Sequence, residues 1–220
     1  KWDGPTGRLT FRVTLPDYPE TLVTDHRALE PPYFASFERS VGVEHAMNKG
    51  LPHIPDDVPK SMAPFNRGYI GSKLPDAFNT TDFMVVTERY AEIFRSADLG
   101  HGALYPIDLY QFDRKRRIDQ GPFFIVVLGA LKNTFVPTEL ATVNSLRIYD
   151  SINNCYNYSP LSLLDDVFCF APTALEGPDL WIERRIMGNK VFFSDRLKRR
   201  FDEADLTAFK FARCPRLQTH

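Results

Sequence analysis

The residues able to do chemistry in this 220-residue chain are dispersed rather than grouped. Its three cysteines, Cys155, Cys169 and Cys214, follow no zinc-ligand spacing, and an odd number argues against a disulfide scaffold. Cys169 lies inside the apolar run "VFCF", where desolvation raises a thiol's pKa and suppresses its reactivity. The thiols read as small packed hydrophobes of a reducing cytoplasm. His26, His45, His53, His101 and His220 show no HxH or HExxH spacing, so neither a metal nor a cofactor is expected. No Walker loop, GxGxxG or GxSxG is present. The acid pairs Asp56-Asp57 and Asp165-Asp166 read as solvated turn formers.

Two kinds of surface residue remain as candidates for recognition. Arg114, Lys115, Arg116 and Arg117 form a basic run, and "RLKRRF" (196–201) a second, but aspartates flank the first and "DEAD" follows the latter. Local charge therefore largely cancels, against the steep electrostatic attraction that nucleic acid requires. The run at 114–117 also suits the charged tip of a hairpin, which protects a sheet edge. "YNY" at Tyr156 to Tyr158, beside Asn153 and Asn154, reads first as a polar hairpin turn, and as the alternative suits an exposed protein contact, because Tyr and Asn offer wide amphipathic area at little entropic cost.

The elements that position these residues are easiest to read through an internal likeness. "FMVVTERYAEIFRSADL" (83–99) and "KVFFSDRLKRRFDEADL" (190–206) align at a shift of 107 positions. Each reads as a buried strand, an N-cap hydroxyl (Thr87 or Ser194), a first-turn acid, and a helix with a one-sided stripe. The stripes are Tyr90, Phe94 and Ala97, and Leu197, Phe201 and Ala204. A strand returns after each, at 103–112 and at 208–212. Between the copies, 113–121 reads as a turn before the strand "PFFIVVLG", 145–150 as a strand, "SINNCYNYS" as a polar turn region, and 165–172 as a further short strand. The matched positions cap and bury a helix, so the repeat is architecture rather than a duplicated active site.

Residues 1–80 are punctuated by proline and read as an irregular region packing on the rest, with a strand at 8–15 and a helix around 34–48. Residues 81–220 form the α+β part. The whole is expected to be α+β: a mixed or antiparallel sheet, a few amphipathic helices and two strand–helix–strand units related by the weak repeat. Apolar residues at 43% and aromatics at 13% suffice for a core, and a net charge of −1 gives no global field toward nucleic acid or membrane. "GPFFIVVLGAL" (121–131) is too short to span a bilayer. No signal-peptide pattern is visible in a chain that opens on Lys1 rather than Met.

The stretch "DLWIERRIMGNKVFFSDRLKRRFDEADLTAFKFARC" resembles the closing signature of immunity protein family eleven, from bacterial polymorphic-toxin systems: a strand, "SDRLK", an amphipathic helix, "A-x-LTG" and a final strand. The middle section from "DFMVVTERY" onward is similar to that family's "VSER" helix and the hairpin after it, so the resemblance covers about residues 82–213. Ala208 stands where the family usually has glycine, and "PFFIVVLG" lacks the Asn common in the corresponding strand. The resemblance implies no catalytic residue. It implies a cytoplasmic protein that binds a cognate toxin, encoded by the adjacent gene, and occludes its active site or locks an inactive form. The anchors would be Arg114, Arg116, Arg117, Tyr156 and Tyr158, with Asp56 and Asp57 as an acidic alternative. A small hydrolase or transferase, and a nucleic-acid-binding regulator, are the other readings the residues leave open.

Overall fold

The computed structural model of the chain describes residues 10–14, 22–24, 32–64, 74–80, 83–111, 113, 115–161, 165–188 and 190–215, with the backbone alone for 10–14, 22–24, 32–38 and 64. The fold is α+β, with mixed and antiparallel sheets. Along the chain come β1 (Thr10–Thr14), β2 (Leu22–Thr24), α1 (Pro32–Lys49), β3 (Ser61–Pro64), β4 (Ala77–Asn79), β5 (Met84–Thr87), α2 (Glu88–Arg95), β6 (Ala103–Leu109) and β7 (Phe123–Val127). There follow β8 (Leu131–Lys132), β9 (Phe135–Val136), α3 (Glu139–Val143), β10 (Ser145–Asp150), β11 (Cys155–Pro160), β12 (Cys169–Phe170), β13 (Leu180–Glu183), β14 (Val191–Ser194), α4 (Asp195–Glu203) and β15 (Lys210–Cys214). Among the described residues, no helix is long and apolar enough to cross a membrane.

The sequence likeness is also a likeness of topology. In the first sheet, β2-β3-β6-β7-β5-β4, strand β7 lies between β5 and β6 and is antiparallel to both. Strands β5 and β6 therefore run parallel to each other, joined by α2. In the second, β15-β1-β14-β13-β8, strand β1 lies between β14 and β15 in the same sense, and α4 joins them. An antiparallel strand flanks each unit, β4 beside β5 and β13 beside β14. The inserted strand differs in origin: β7 follows its unit in sequence, whereas β1 comes from the N-terminal region. The described parts of residues 1–80 thus enter both sheets, and α1 adds Val43 and Met47 to the core.

The two helices meet through the first two residues of each stripe that the sequence predicts; the third falls past the helix end, where Ala97 is half-buried and Ala204 is exposed. Tyr90 and Phe94 of α2 and Leu197 and Phe201 of α4 are buried at i, i+4 spacing. Phe201 packs its ring 5.3 Å from Phe94 and 5.5 Å from Tyr90, and Phe193 and Phe209 close the cluster. Burying each such ring contributes about 1.5–3 kcal/mol. The second sheet is covered on both faces. Leu180, Ile182 and Phe193 face this core, while Trp181 and Phe192, one position along their strands, face a second core with Phe135, Tyr158, Phe168 and Phe170. The backbones of residues 100–102 and 129 touch at the seam: a Cβ on Gly129 would come 1.7 Å from Gly102 N.

The two caps behave differently. Ser194 accepts from the Leu197 N–H at 3.1 Å, as an N-cap should. Thr87 holds the same position, yet its hydroxyl makes no cap bond and is buried without a partner. The expectation that both hydroxyls cap is corrected for Thr87, whose backbone alone opens the helix. The polar turn expected over "SINNCYNYS" is also shorter: it spans 151–154, and β11 begins at Cys155. Asp150 closes it by accepting the N–H groups of Ile152 and Asn153, and Asn154 takes a left-handed φ of 49°. The alternating aromatic residues beyond it then favour a strand.

Candidate interaction surface

Two arginines of the basic hairpin tip, Arg116 and Arg117, are paired with nearby aspartates. Arg114 lies outside the described residues. Asp113 accepts the main-chain N–H groups of Arg116 and Lys115 at 3.0 Å and the Arg116 guanidinium at 2.5 Å. Those N–H groups, more than the guanidinium, hold its carboxyl down at about 2. Arg117 pairs with Asp108 at 2.6 Å.

Asp56 and Asp57 lie in a short 3-10 turn, Pro55–Asp57. Asp56 faces Lys60 at 4.0 Å across solvent, a pair that contributes little. A cleft of about 450 Å³ beside it is lined by Asp56, Lys60, Tyr105, Asp108, Arg117 and Phe123, among others. Two separately predicted candidates, Asp56 and Arg117, therefore meet at one cleft, each beside its own counter-ion. His53 Nε2 lies 2.8 Å from the Tyr105 hydroxyl, its Nδ1 is buried without a partner, and burial lowers its pKa toward the neutral imidazole.

Other ionisable groups serve as fasteners. Asp165 and Asp166 lie in a turn open to solvent, as expected, and there they also bind Arg213 of β15, Asp165 accepting from the Arg213 main-chain N–H and Asp166 from its guanidinium. Lys132 donates to the carbonyls of Ala174, Glu176 and Pro178 at 2.7–2.9 Å and sits 4.0 Å from the centre of the Trp181 ring. Burial pushes it down to about 8, but an ammonium whose three N–H groups are all accepted is scaffold. Cys169 and Cys214 are buried, and burial pushes the Cys169 thiol up. Among the described residues, no group of three or more His, Cys, Asp or Glu could hold a metal ion.

The hairpin β10–β11 is different in kind. It is a two-stranded sheet of its own, in register from Ser145↔Pro160 to Asp150↔Cys155. Most of the large apolar side chains that stand exposed among the described residues belong to it or to α3 just before it: Leu140, Val143, Leu146, Ile148, Ile152 and Leu161, with Tyr149 and Tyr156. Ile152, at the tip, is 92% exposed. Two-stranded ribbons are marginal in water, and apolar patches on them mark contact with another molecule.

Tyr156 is an exposed residue of this hairpin, as expected, but Tyr158 is not. It is 4% exposed, with its ring 5.0 Å from that of Phe135. Both point to one face of β11, but only the base of the hairpin, where Tyr158 sits, is covered by Phe135 and the chain at 185–187. Sequence reasoning also missed Arg147, whose guanidinium lies 5.2 Å from the centre of the Tyr156 ring, and Arg185, which donates to the Tyr156 carbonyl at 3.1 and 3.2 Å. Neither has a carboxylate partner among the described residues. The alternation in "SLRIYD" was a usable signal for the strand, but it ordinarily marks a face turned to the core, and here Leu146 and Ile148 are turned to solvent.

No known protein family matches the chain, and no curated protein is significantly similar to it.

Proposed function

We propose that the chain acts by stoichiometric binding to another protein, and that the partner is a cognate bacterial toxin which it neutralises in the cytoplasm. The observation that carries the first half is the exposed apolar and tyrosine-rich hairpin β10–β11, flanked by arginines without carboxylate partners. Aromatic and arginine residues on an apolar patch are the composition of binding hot spots. The second half rests on the resemblance of residues 82–213 to immunity protein family eleven. Neutralisation would follow from occluding the toxin's active-site cleft or from locking an inactive shape, and neither requires a catalytic group here. Co-expression with the product of the adjacent gene tests the reading. The two proteins are expected to co-purify in equal amounts, and the chain should rescue growth. A product that neither binds nor is neutralised overturns it.

A second reading, a small hydrolase or transferase, draws on the cleft beside His53 and Tyr105. Its sign would be a turnover lost in His53→Ala at unchanged stability.

A further inference from the structure

We propose that the outer edge of β10 accepts an extended, acidic segment of the partner as a third strand of the β10–β11 sheet. The inference rests on the binding reading above and names how the contact is made.

The two edges of the hairpin are treated unequally. Tyr158 donates its N–H to the Arg185 carbonyl and accepts from the Met187 N–H, both at 2.8 Å, so its main-chain groups point away from β10. In an antiparallel ladder, facing residues alternate between bonded and non-bonded pairs. Arg147↔Tyr158 is therefore a non-bonded pair, and the N–H and C=O of Arg147 point away from β11. Tyr149, two positions on, shares that direction. The β11 edge is thus closed by residues 185–187 and by the Arg185 guanidinium on the Tyr156 carbonyl. No described residue bonds to the outward main-chain groups of Arg147 and Tyr149. Folded proteins ordinarily cover, charge or distort such an edge, and an open one is a template for an added strand.

The side chains specify what fits. A strand added along β10 sets one of its faces beside Leu146 and Ile148, 59% and 49% exposed, and the other beside Arg147 and Tyr149. The hairpin's own acid, Asp150, is engaged by Ile152, Asn153 and Asn157, which leaves Arg147 unanswered. Aliphatic residues alternating with Asp or Glu would meet both faces. A second copy fits less well. Face-matched antiparallel pairing of two β10 edges sets Arg147 opposite Arg147 in one register, and Leu146 opposite Asp150 in the next.

The probe is a synthetic peptide alternating Val with Glu, titrated into the ¹⁵N-labelled full chain. Saturable shifts are expected at the amides of Arg147 and Tyr149, weakened at least about ten-fold when Lys replaces Glu. Tyr149→Pro removes an outward N–H and should abolish them. Arg147→Glu, which leaves the backbone intact, should invert the preference toward the Lys peptide. Unshifted β10 amides, or equal binding of both peptides by the native chain, overturn the proposal. So does a dimer of the free chain in light scattering that Tyr149→Pro dissociates, since a second copy would then own the edge. Because the probe is synthetic, its outcome is independent of whether the adjacent gene product binds. Conversely, a neutralised toxin whose binding ignores both variants would sink the strand proposal and spare the neutraliser.

Discussion

The β5–α2 and β14–α4 joints share a backbone and differ in chemistry. In each, the residue before the helix is extended (φ −76°, ψ 168° at Thr87; φ −67°, ψ 154° at Ser194). In each, its N–H donates at 2.8 Å to the carbonyl of an aspartate just before the flanking strand, Asp76 or Asp179. There the likeness ends. The Asp179 carboxylate is buried and accepts from Ser194 Oγ at 2.5 Å, from Arg196 at 2.9 and 2.7 Å, and from the Asp98 N–H at 3.0 Å. Asp98 belongs to the other unit, so this carboxylate fastens the two units together. Asp76 and Arg89, at the matching places, form no ion pair among the described residues. A backbone unit can thus be repeated while the polar network that docks the copies is built once.

The sharpest way to break the comparison is to delete the two aspartates in turn. Asp179→Ala should lower stability by about 3 kcal/mol, because it strands Ser194, Arg196 and the Asp98 N–H together; Arg196 is more than half exposed and rehydrates, which keeps the loss at the low end for a buried pair. Asp76→Ala should stay within about 0.5 kcal/mol. Urea denaturation reads both, and equal losses would mean the joints are energetically alike. Next comes Ser194→Ala, at about 1–2 kcal/mol for the cap and the bond to Asp179.

Acid provides a third test. Burial alone would raise the Asp179 carboxyl, but the bonds from Arg196, Ser194 and the Asp98 N–H outweigh it and hold it below the ordinary value of 3.8. A depressed folded-state pKa stabilises the protein above the unfolded value, and that stability drains away as pH falls through the folded one. Asp179→Asn should therefore flatten the decline of stability below about pH 4 relative to the native chain. An unchanged acid limb would show that other carboxylates govern it. The smallest effect is one of sign. Thr87→Val removes a buried hydroxyl that bonds to nothing, so stability should hold or rise slightly, where the Ser194 change lowers it.

What was legible in the sequence was local. Thr87 and Ser194, with Tyr90, Phe94, Leu197 and Phe201, lie within one strand and one helix of each unit, and the joints and their shared core were read from them; the stripes were read one residue too far, to Ala97 and Ala204. The docking network was not legible, because Asp179 reaches Ser194 across 15 positions and Asp98 across 81. Thr87 and Tyr158 misled for one physical reason. A residue type states what a side chain can do, while its neighbours in space decide whether a hydroxyl finds a donor or a ring finds cover. Leu146 and Ile148 show the converse, an apolar pattern that the rest of the fold leaves uncovered.

The place of β1 carries a consequence for synthesis on the ribosome. By the end of β7 every strand of the first sheet has been made, so that sheet can assemble while the chain is still growing. The second sheet cannot, since β1 sits between β14 and β15, whose residues 191–194 and 210–214 emerge near the end of the described chain. Both edges of β1 wait unpaired until β14 and β15 have been made, and closing so long a loop is slow. Nascent chains crowded on one messenger therefore offer each other an early strand with two open edges, and conditions that slow initiation relative to elongation should raise the yield of folded protein.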